Sequence, residues 1–106
     1  MSQVAVIVTH RTQPGRREDV RAVWEKHMVP AVTANPGHVD YFYCLDDNAP
    51  DVITAFQIYV DADASRAFLG TAAYTSYVAE VEPLLQGPPT VSVTTPVWHK
   101  RGPSQP

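Results

Sequence analysis

Histidine is the side chain best suited to moving a proton near neutral pH, and this sequence contains four. His10 follows three alternating valines, and it shares their face of a predicted strand. His27 lies on an apolar stripe of helical spacing, whereas His38 falls in a turn and His99 near the carboxyl terminus. His10 and His27 are therefore the candidates for a buried base, and His38 and His99 are expected to be solvated. The alternative for either inward histidine is a hydrogen-bonded packing role.

Aromatic side chains form the second group of candidates. Tyr74 and Tyr77 follow a break in the second helical region, where the mouth of a pocket can form. A buried tyrosine hydroxyl needs a partner, and these two can donate a hydrogen bond to a ligand oxygen. The alternative for most of the aromatic residues is plain core packing. Those that could line a flat pocket between helices and sheet are Trp24, Tyr41, Tyr43, Phe56, Phe68, Tyr74 and Tyr77.

The sequence offers little for metal binding or thiol chemistry. No His-x-His or His-x-x-x-His pair occurs, so we predict no metal site. Cys44 is the single cysteine, which excludes an internal disulfide. It falls in the middle of a predicted strand without a nearby base, and we expect an inert, buried thiol.

Length and composition limit the classes of protein. The chain of 106 residues has room for one domain, which we place at residues 1–99, with a flexible tail over residues 100–106. The net charge is −3 and the eight lysines and arginines are scattered, so no nucleic-acid partner is expected. No apolar run reaches the length of a membrane span, and the amino terminus does not resemble a signal peptide. We therefore expect a cytoplasmic protein without a membrane partner.

Hydrophobic periodicity and turn residues predict the secondary structure. The first helix begins after Pro14-Gly15, and Pro30 predicts a kink or break in it near Met28. A second helical region begins after Asp61 or Asp63 and is interrupted at Gly70-Thr71, where Thr71 can cap the second piece. The predicted strands are Val4–His10, Val39–Leu45, Val52–Val60 and Val91–Trp98.

This order predicts an α+β, ferredoxin-like βαββαβ fold, a four-stranded antiparallel sheet with both helices on one face. Several strands are apolar on both faces. In the second strand, Tyr41 and Tyr43 point one way while Phe42 and Cys44 point the other. Because two helices cover one face only, we expect a homodimer in which a partner sheet covers the other. The alternative is an exposed face that is less polar than average.

Several segments resemble a known family. A strand ending in Pro14-Gly15 is followed by a helix and then by Pro36-Gly37 with Tyr41 four residues later. The segments Phe56–Asp61 and Tyr77–Leu85 complete the pattern. In this order and spacing they resemble the antibiotic biosynthesis monooxygenase family of dimeric α+β barrels, from about Val4 to Trp98. The family includes cofactor-free oxygenases of quinols and aromatic polyketides, haem-degrading enzymes, and members without a known activity.

Three departures from the family pattern bear on chemistry. The glutamate usual in the third strand falls at Gln57, and the common His-Leu-x-Ser-x-x-Phe run falls on residues 68–74, where Phe68 replaces the histidine and Thr71 the serine. In the haem-degrading branch, the positions that match Val8, Phe68 and Val78 carry Asn, Trp and His. The resemblance therefore does not extend to haem degradation.

The resemblance implies a monooxygenase, hence an oxidoreductase, that acts on a small aromatic, quinol or polyketide-like ligand without a cofactor. On this scheme His10 is the base, and Tyr74 or Tyr77 stabilises the oxyanion. The alternatives are a ligand-binding or stress-responsive barrel without turnover, and a cyclase or isomerase that uses the same base. The residues expected to contact the ligand are Val8, Trp24, His27, Tyr41, Phe56 and Phe68.

Overall fold

The computed structural model describes residues 2–102, and its secondary structure follows the predicted order. The four strands pair antiparallel in the order β2-β3-β1-β4. The ferredoxin-like α+β fold predicted from the sequence is thereby confirmed. The elements are β1 Val4–Arg11, α1 Arg17–Ala34, β2 His38–Leu45, β3 Val52–Tyr59, α2 Ala62–Leu69, α3 Ala72–Val81, a 3₁₀ turn at Glu82–Leu84, and β4 Thr90–Thr94.

The helices cover one face of the sheet, which we call the inner face. Strand alternation sends every second side chain to that face, where Ile53 and Tyr59 of β3 are almost completely buried. They pack against Val20 of α1, Phe68 of α2 and Tyr77 of α3 in one apolar cluster. The inner face therefore carries the core and is the face on which a cavity can form.

The break in the second helical region lies where the sequence predicts it. Asp61 caps α2 by accepting a hydrogen bond from the Ala64 amide at 2.8 Å. Thr71 caps α3 by accepting from the Tyr74 amide at 3.3 Å. The break brings Phe68 and Tyr74 to neighbouring positions, with ring centroids 6.1 Å apart.

Of the kink or break predicted in α1 near Met28, a break does not occur. The helix continues through Pro30 to Ala34 as one element. Proline has no amide hydrogen to donate to the carbonyl of Lys26, one turn earlier. Both Pro30 and Lys26 lie on the exposed side of the helix, where water can satisfy that carbonyl.

The last strand is shorter than predicted, since β4 ends at Thr94 and not at Trp98. Pro96 has no amide hydrogen for continued pairing with β1. The chain leaves the edge of the sheet, and Arg101 contacts Asp40 of β2, at the opposite edge, with Nη2 3.1 Å from Oδ2. The predicted tail begins within this segment, and its residues 103–106 lie outside the described part of the chain.

The face opposite the helices, which we call the outer face, is mixed in character. Ala5 and Ile58 are buried there, on the row of paired residues that ends at Asp40. The next outer row joins Ile7, Phe56 and Phe42, and Phe42 is 55% exposed. Within residues 2–102, no helix is long and apolar enough to cross a membrane.

Candidate functional site

A cavity of about 170 Å³ lies between the helices and the inner face of the sheet. Strand alternation supplies its floor, and the three helices and the start of β4 supply its walls. Its surface is mostly apolar and aromatic, which is typical of a site for a small organic ligand. The side chains that define it include Val6, Val8, His10, Trp24, Met28, Tyr41, Tyr43, Ala55, Gln57, Tyr59, Phe68, Tyr74, Tyr77, Val91 and Val93.

Stacked rings form one side of this cavity. Trp24 of α1 stacks on Tyr43 of β2, with ring centroids 3.9 Å apart and an angle of 17° between the planes. The Trp24 Nε1–H donates a hydrogen bond to the Tyr41 hydroxyl at 3.1 Å, which fixes the indole against the sheet. The Tyr43 hydroxyl is buried without a hydrogen-bond partner among the described residues. Flat rings held in this way favour a flat aromatic ligand.

His10 and Tyr77 form a polar pair at the β4 side of the cavity. The Tyr77 hydroxyl lies 3.3 Å from His10 Nε2, at the long end of the hydrogen-bond range. Both residues are buried, and His10 Nδ1 has no partner within residues 2–102. Burial lowers the pKa of His10, so its imidazole is neutral near pH 7.

A second cavity, of about 410 Å³, adjoins the first. Four residues line both cavities: His10, Tyr74, Tyr77 and Pro89. The remaining walls of the second cavity come from α3 and the turn that precedes β4, including Val78, Val81 and Leu85. The His10–Tyr77 pair thus stands between two spaces, one of which is lined by stacked rings.

A second polar cluster is built around Gln57, and we call it the Gln57 cluster. The side-chain oxygen of Gln57 lies 3.0 Å from His38 Nε2 and 2.8 Å from the Tyr59 hydroxyl. His38 Nδ1 lies 2.9 Å from Asn35 Nδ2, and Asn35 Oδ1 accepts from the Gly37 amide at 3.1 Å. The His38 ring also contacts Tyr59 and Phe68, with centroid distances of 4.3 and 4.7 Å. Burial lowers the pKa of His38, and its bond to Gln57 opposes that shift only in part.

The tyrosines around the cavity are neutral phenols at physiological pH. Burial raises the pKa of Tyr41 to about 12, despite the opposing effect of its bond to Trp24. Burial also raises the pKa of Tyr74 and Tyr77. Each of these hydroxyls keeps its proton and can donate a hydrogen bond to a ligand oxygen.

The structure brings together most of the side chains singled out in the sequence. Two of the predicted ligand contacts, His27 and Phe56, depart from expectation. His27 lies outside the cavity, with Nε2 2.8 Å from the exposed carboxylate of Glu80. Phe56 points to the outer face, because it alternates with the inward-facing Ala55 and Gln57. The predicted residues that do line the cavity are Val8, His10, Trp24, Tyr41, Phe68, Tyr74 and Tyr77.

Two further expectations are corrected. Cys44 is exposed and not buried, since it lies on the outer face that the helices leave uncovered. His38 is not a solvated turn residue: it begins β2, and both ring nitrogens are hydrogen-bonded. Within residues 2–102, no group of three or more His, Cys, Asp and Glu side chains is placed to hold a metal ion.

Sequence reasoning did not identify Gln57 and His38 as site residues. Gln57 carried a usable signal, since it is a polar residue within the apolar strand Val52–Tyr59. A polar side chain on the buried face of a strand needs partners. His38 carried no such signal, because the contact that matters joins residues 19 positions apart in the chain.

A known protein family matches most of this chain. The family model described as antibiotic biosynthesis monooxygenase matches residues 3–80 of the chain. No curated protein matches the sequence. Among solved structures, Rv0793 from Mycobacterium tuberculosis superposes with a TM-score of 0.83 and 27% identity, over 93% of this chain and 99% of that one.

Two more distant structures have the same fold. A protein of Chloroflexus aurantiacus superposes with a TM-score of 0.80 and 22% identity, over 92% of this chain and 96% of that one. A protein of Caulobacter crescentus gives a TM-score of 0.82 and 19% identity, over 88% of both chains. Both of those proteins are named after the family whose model matches here.

Proposed function

The chain belongs to the antibiotic biosynthesis monooxygenase family, and from this membership we propose that it oxygenates a small aromatic, quinol or polyketide-like substrate with O₂ and no cofactor. The observation that carries the proposal is a buried, neutral imidazole, His10, at the wall of an aromatic cavity. Neutral imidazole is a proton acceptor, and the stacked rings favour a flat substrate.

His10 is the base in this proposal, and Tyr77 is its partner. The long 3.3 Å contact between the Tyr77 hydroxyl and His10 Nε2 is readily exchanged for a substrate group that carries an acidic proton. After the proton moves to Nε2, the Tyr77 hydroxyl is free to donate to the oxyanion. Tyr74 faces both cavities and supplies a second neutral phenol. Donors fixed in an apolar site stabilise such an anion strongly.

The oxidation needs no added reductant when the substrate has an activated CH₂ group. Proton removal by His10 gives a carbanion, which transfers one electron to O₂. The two radicals combine as a peroxide anion, which takes the proton back from His10 and becomes a hydroperoxide. Loss of water from the hydroperoxide leaves a carbonyl. One CH₂ group and one O₂ thus become one C=O group and one H₂O, so atoms and electrons balance.

Oxygen uptake by purified protein tests this function. We expect consumption of one O₂ per molecule of product with at least one member of an anthrone and quinol panel, in buffer with a chelator and without flavin. The Cys44→Ser variant is the matched control, because the exposed thiol could itself react with a quinone product. Uptake that requires added flavin or metal, or no uptake with any member of the panel, would contradict the proposal.

A ligand-binding role without turnover is the second candidate. The Gln57 cluster favours it, because that cluster positions a polar group in the cavity without offering a base. Quenching of Trp24 fluorescence by the same panel would then occur without oxygen consumption or product. The two roles are separated by measuring binding and product in the same samples.

We further propose that the chain forms a homodimer through the outer face of the sheet. The row of Ile7, Phe56 and Phe42 presents a line of apolar side chains there, and Phe42 is 55% exposed. An apolar row on a sheet face is suited to a self-complementary contact across a twofold axis. The threonines and Cys44 in the neighbouring row are compatible with such a contact.

Light scattering on a size-exclusion column tests the dimer. Phe42→Glu should shift the mass toward the monomer at micromolar concentration, because it places a charge in the apolar row. Val29→Glu is the matched control: Val29 is an exposed apolar residue of α1, on the helical side, and its variant should remain dimeric. A monomeric wild-type protein, or the same oligomeric state for Phe42→Glu and Val29→Glu, would refute this interface.

A further inference from the structure

The carboxamide of Gln57 is the one polar group from the middle of β3 that lines the aromatic cavity. Gln57 is 7% exposed and projects from the inner face of the sheet among apolar and aromatic side chains. Its oxygen is approached from two sides, by His38 Nε2 at 3.0 Å and by the Tyr59 hydroxyl at 2.8 Å. Its nitrogen has no hydrogen-bond partner among residues 2–102. This nitrogen is also not one of the fully buried polar atoms without a partner in that region, so part of its surface is accessible.

The direction of each bond in this cluster follows from the backbone. The Gly37 amide can only donate, so the Asn35 atom 3.1 Å away is its oxygen, and Asn35 Nδ2 faces His38 Nδ1 at 2.9 Å. An amide nitrogen donates, hence His38 Nδ1 must accept, and the ring proton of the neutral imidazole resides on Nε2. Nε2–H therefore donates to Gln57, which must present its oxygen to His38.

From this chain of donors we infer that Gln57 presents its NH₂ group to the cavity as a hydrogen-bond donor for a ligand oxygen, of the carbonyl or phenolate type. The inference deepens the proposed function and rests on it for the substrate class, since it names the group that recognises the substrate oxygen. The Gln57 oxygen already accepts hydrogen bonds from His38 and Tyr59, so the side chain can offer a ligand only its N–H groups. An oxygen acceptor is therefore selected over an apolar edge of the same shape.

Neutral His38 keeps the cluster in this arrangement. Burial lowers its pKa, and a protonated ring would direct Nδ1–H toward the N–H groups of Asn35. The Tyr59 phenol also keeps its proton, because burial raises its pKa. The hydrogen bonds of the cluster therefore keep their direction near neutral pH, with His38 and Tyr59 both donating to the Gln57 oxygen.

The Gln57 cluster is separate from the proposed base. Gln57 pairs with Val6 of β1, and His10 lies four residues farther along that strand, which is about 13 Å at the rise of an extended chain. Gln57 is accordingly a binding and positioning residue and not a member of the His10–Tyr77 pair. Its contribution can be measured by binding alone.

A pair of ligands that differ only in a carbonyl tests the inference. We use 1-indanone and indane, two flat bicyclic molecules of nearly equal shape, and measure both dissociation constants by calorimetry. Wild-type protein should bind the ketone about tenfold more tightly, as expected for one hydrogen bond in an apolar site. In Gln57→Glu, the preference for the ketone should vanish while the affinity for indane changes little, because glutamate still accepts from His38 and Tyr59 but lacks N–H donors.

Gln57→Met controls for the charge of the glutamate and should also lose the preference. The inference is overturned if wild-type protein shows no preference, if either variant retains it, or if neither ligand binds. These outcomes are independent of oxygen chemistry. A protein that prefers the ketone through Gln57 but consumes no oxygen would refute the monooxygenase proposal and leave the role of Gln57 intact.

The ¹⁵N spectrum of the His38 ring provides a test without any ligand. The bonding pattern requires the Nε2–H tautomer, and the two tautomers have distinct ring-nitrogen shifts. His38→Gln identifies the signal by its loss. An Nδ1–H ring at neutral pH would reverse the polarity of the cluster and overturn the inference.

Discussion

Two histidines lie on the sheet side of the core, and they differ in how completely their ring nitrogens are bonded. His38 is bonded through both nitrogens, to Asn35 and to Gln57. His10 has one long contact, to Tyr77, and its second nitrogen is buried without a partner among the described residues. Burial lowers the pKa of both rings, so charge does not distinguish them. A ring with both nitrogens hydrogen-bonded can only position its neighbours. A ring with one long contact and one unpaired nitrogen can exchange its partner for a substrate.

Replacing His10 is expected to have the largest effect on this comparison. General-base catalysis contributes about a hundred- to ten-thousand-fold, so His10→Ala should lower turnover at least about a hundredfold. His10→Gln retains polarity and approximate size but cannot act as the base, and its turnover should be nearly as low. The measurement is product formation per folded molecule with an active anthrone or quinol.

The matched variant is His38→Gln, which should retain most of the turnover at saturating substrate, because His38 acts through Gln57 on substrate binding and not on proton transfer. If His10 is only a packing residue, His10→Gln will be tolerated, and both His10 variants will keep the wild-type turnover per folded molecule. That result would remove His10 from the catalytic scheme.

For stability we expect the opposite order, with a larger loss on replacing His38 than on replacing His10. His38→Ala removes two side-chain hydrogen bonds and the ring contacts to Tyr59 and Phe68. We expect a loss of about 2–3 kcal/mol in the free energy of unfolding. Urea denaturation followed by far-UV circular dichroism gives this value. A smaller loss than that of His10→Ala would mean that the Gln57 cluster stabilises the fold less than the His10–Tyr77 pair does.

The fold was predictable because its signals are local. Alternation in Val4–His10, the caps Asp61 and Thr71, and the Pro and Gly turns each act within a few residues. One error arose where the surroundings in space decide the outcome, since solvent on one side of α1 accommodates Pro30 without a break in the helix. The early end of β4 has a different cause, because Pro96 is itself a local signal in the sequence against a strand that continues to Trp98.

The candidate site was only partly predictable, for a related reason. Strand alternation places His10 and Val8 on one face, and the structure keeps them there. The same alternation, applied to β3, excludes Phe56 and selects Gln57. Hydrogen-bond partners join distant positions, such as His10 with Tyr77 and His38 with Gln57. The spacing of residues along the sequence does not predict such pairs.

Acidification should weaken both clusters through the same two rings. The pKa of His10 and of His38 in the folded chain lies below the ordinary value of 6.5, because of burial. Below pH 6.5 the unfolded chain therefore binds protons that the folded chain does not, and the free energy of unfolding falls as the pH falls. The slope is at most about 1.4 kcal/mol per pH unit for each ring.

Urea denaturation between pH 7 and pH 5 measures this slope. His10→Gln and His38→Gln should each reduce it, since each removes one titrating ring. The exposed Glu80 has a pKa lowered mainly by its hydrogen bond to His27, so its titration falls at a lower pH than this range. A wild-type stability that is constant over the range would show that the rings are not desolvated.

The smallest expected effects come from two tyrosines that differ in what their hydroxyls bind. Tyr59 donates at 2.8 Å to a saturated amide oxygen, whereas Tyr77 makes the 3.3 Å contact with His10. Tyr59→Phe should therefore cost about 1 kcal/mol in the free energy of unfolding, and Tyr77→Phe about half as much or less. Turnover should follow the opposite order, because Tyr77, and not Tyr59, is placed to donate to the oxyanion beside the base. If one of the two variants loses more of both stability and turnover, the hydroxyls do not divide the structural and chemical roles in this way, and the contrast between His38 and His10 loses its support.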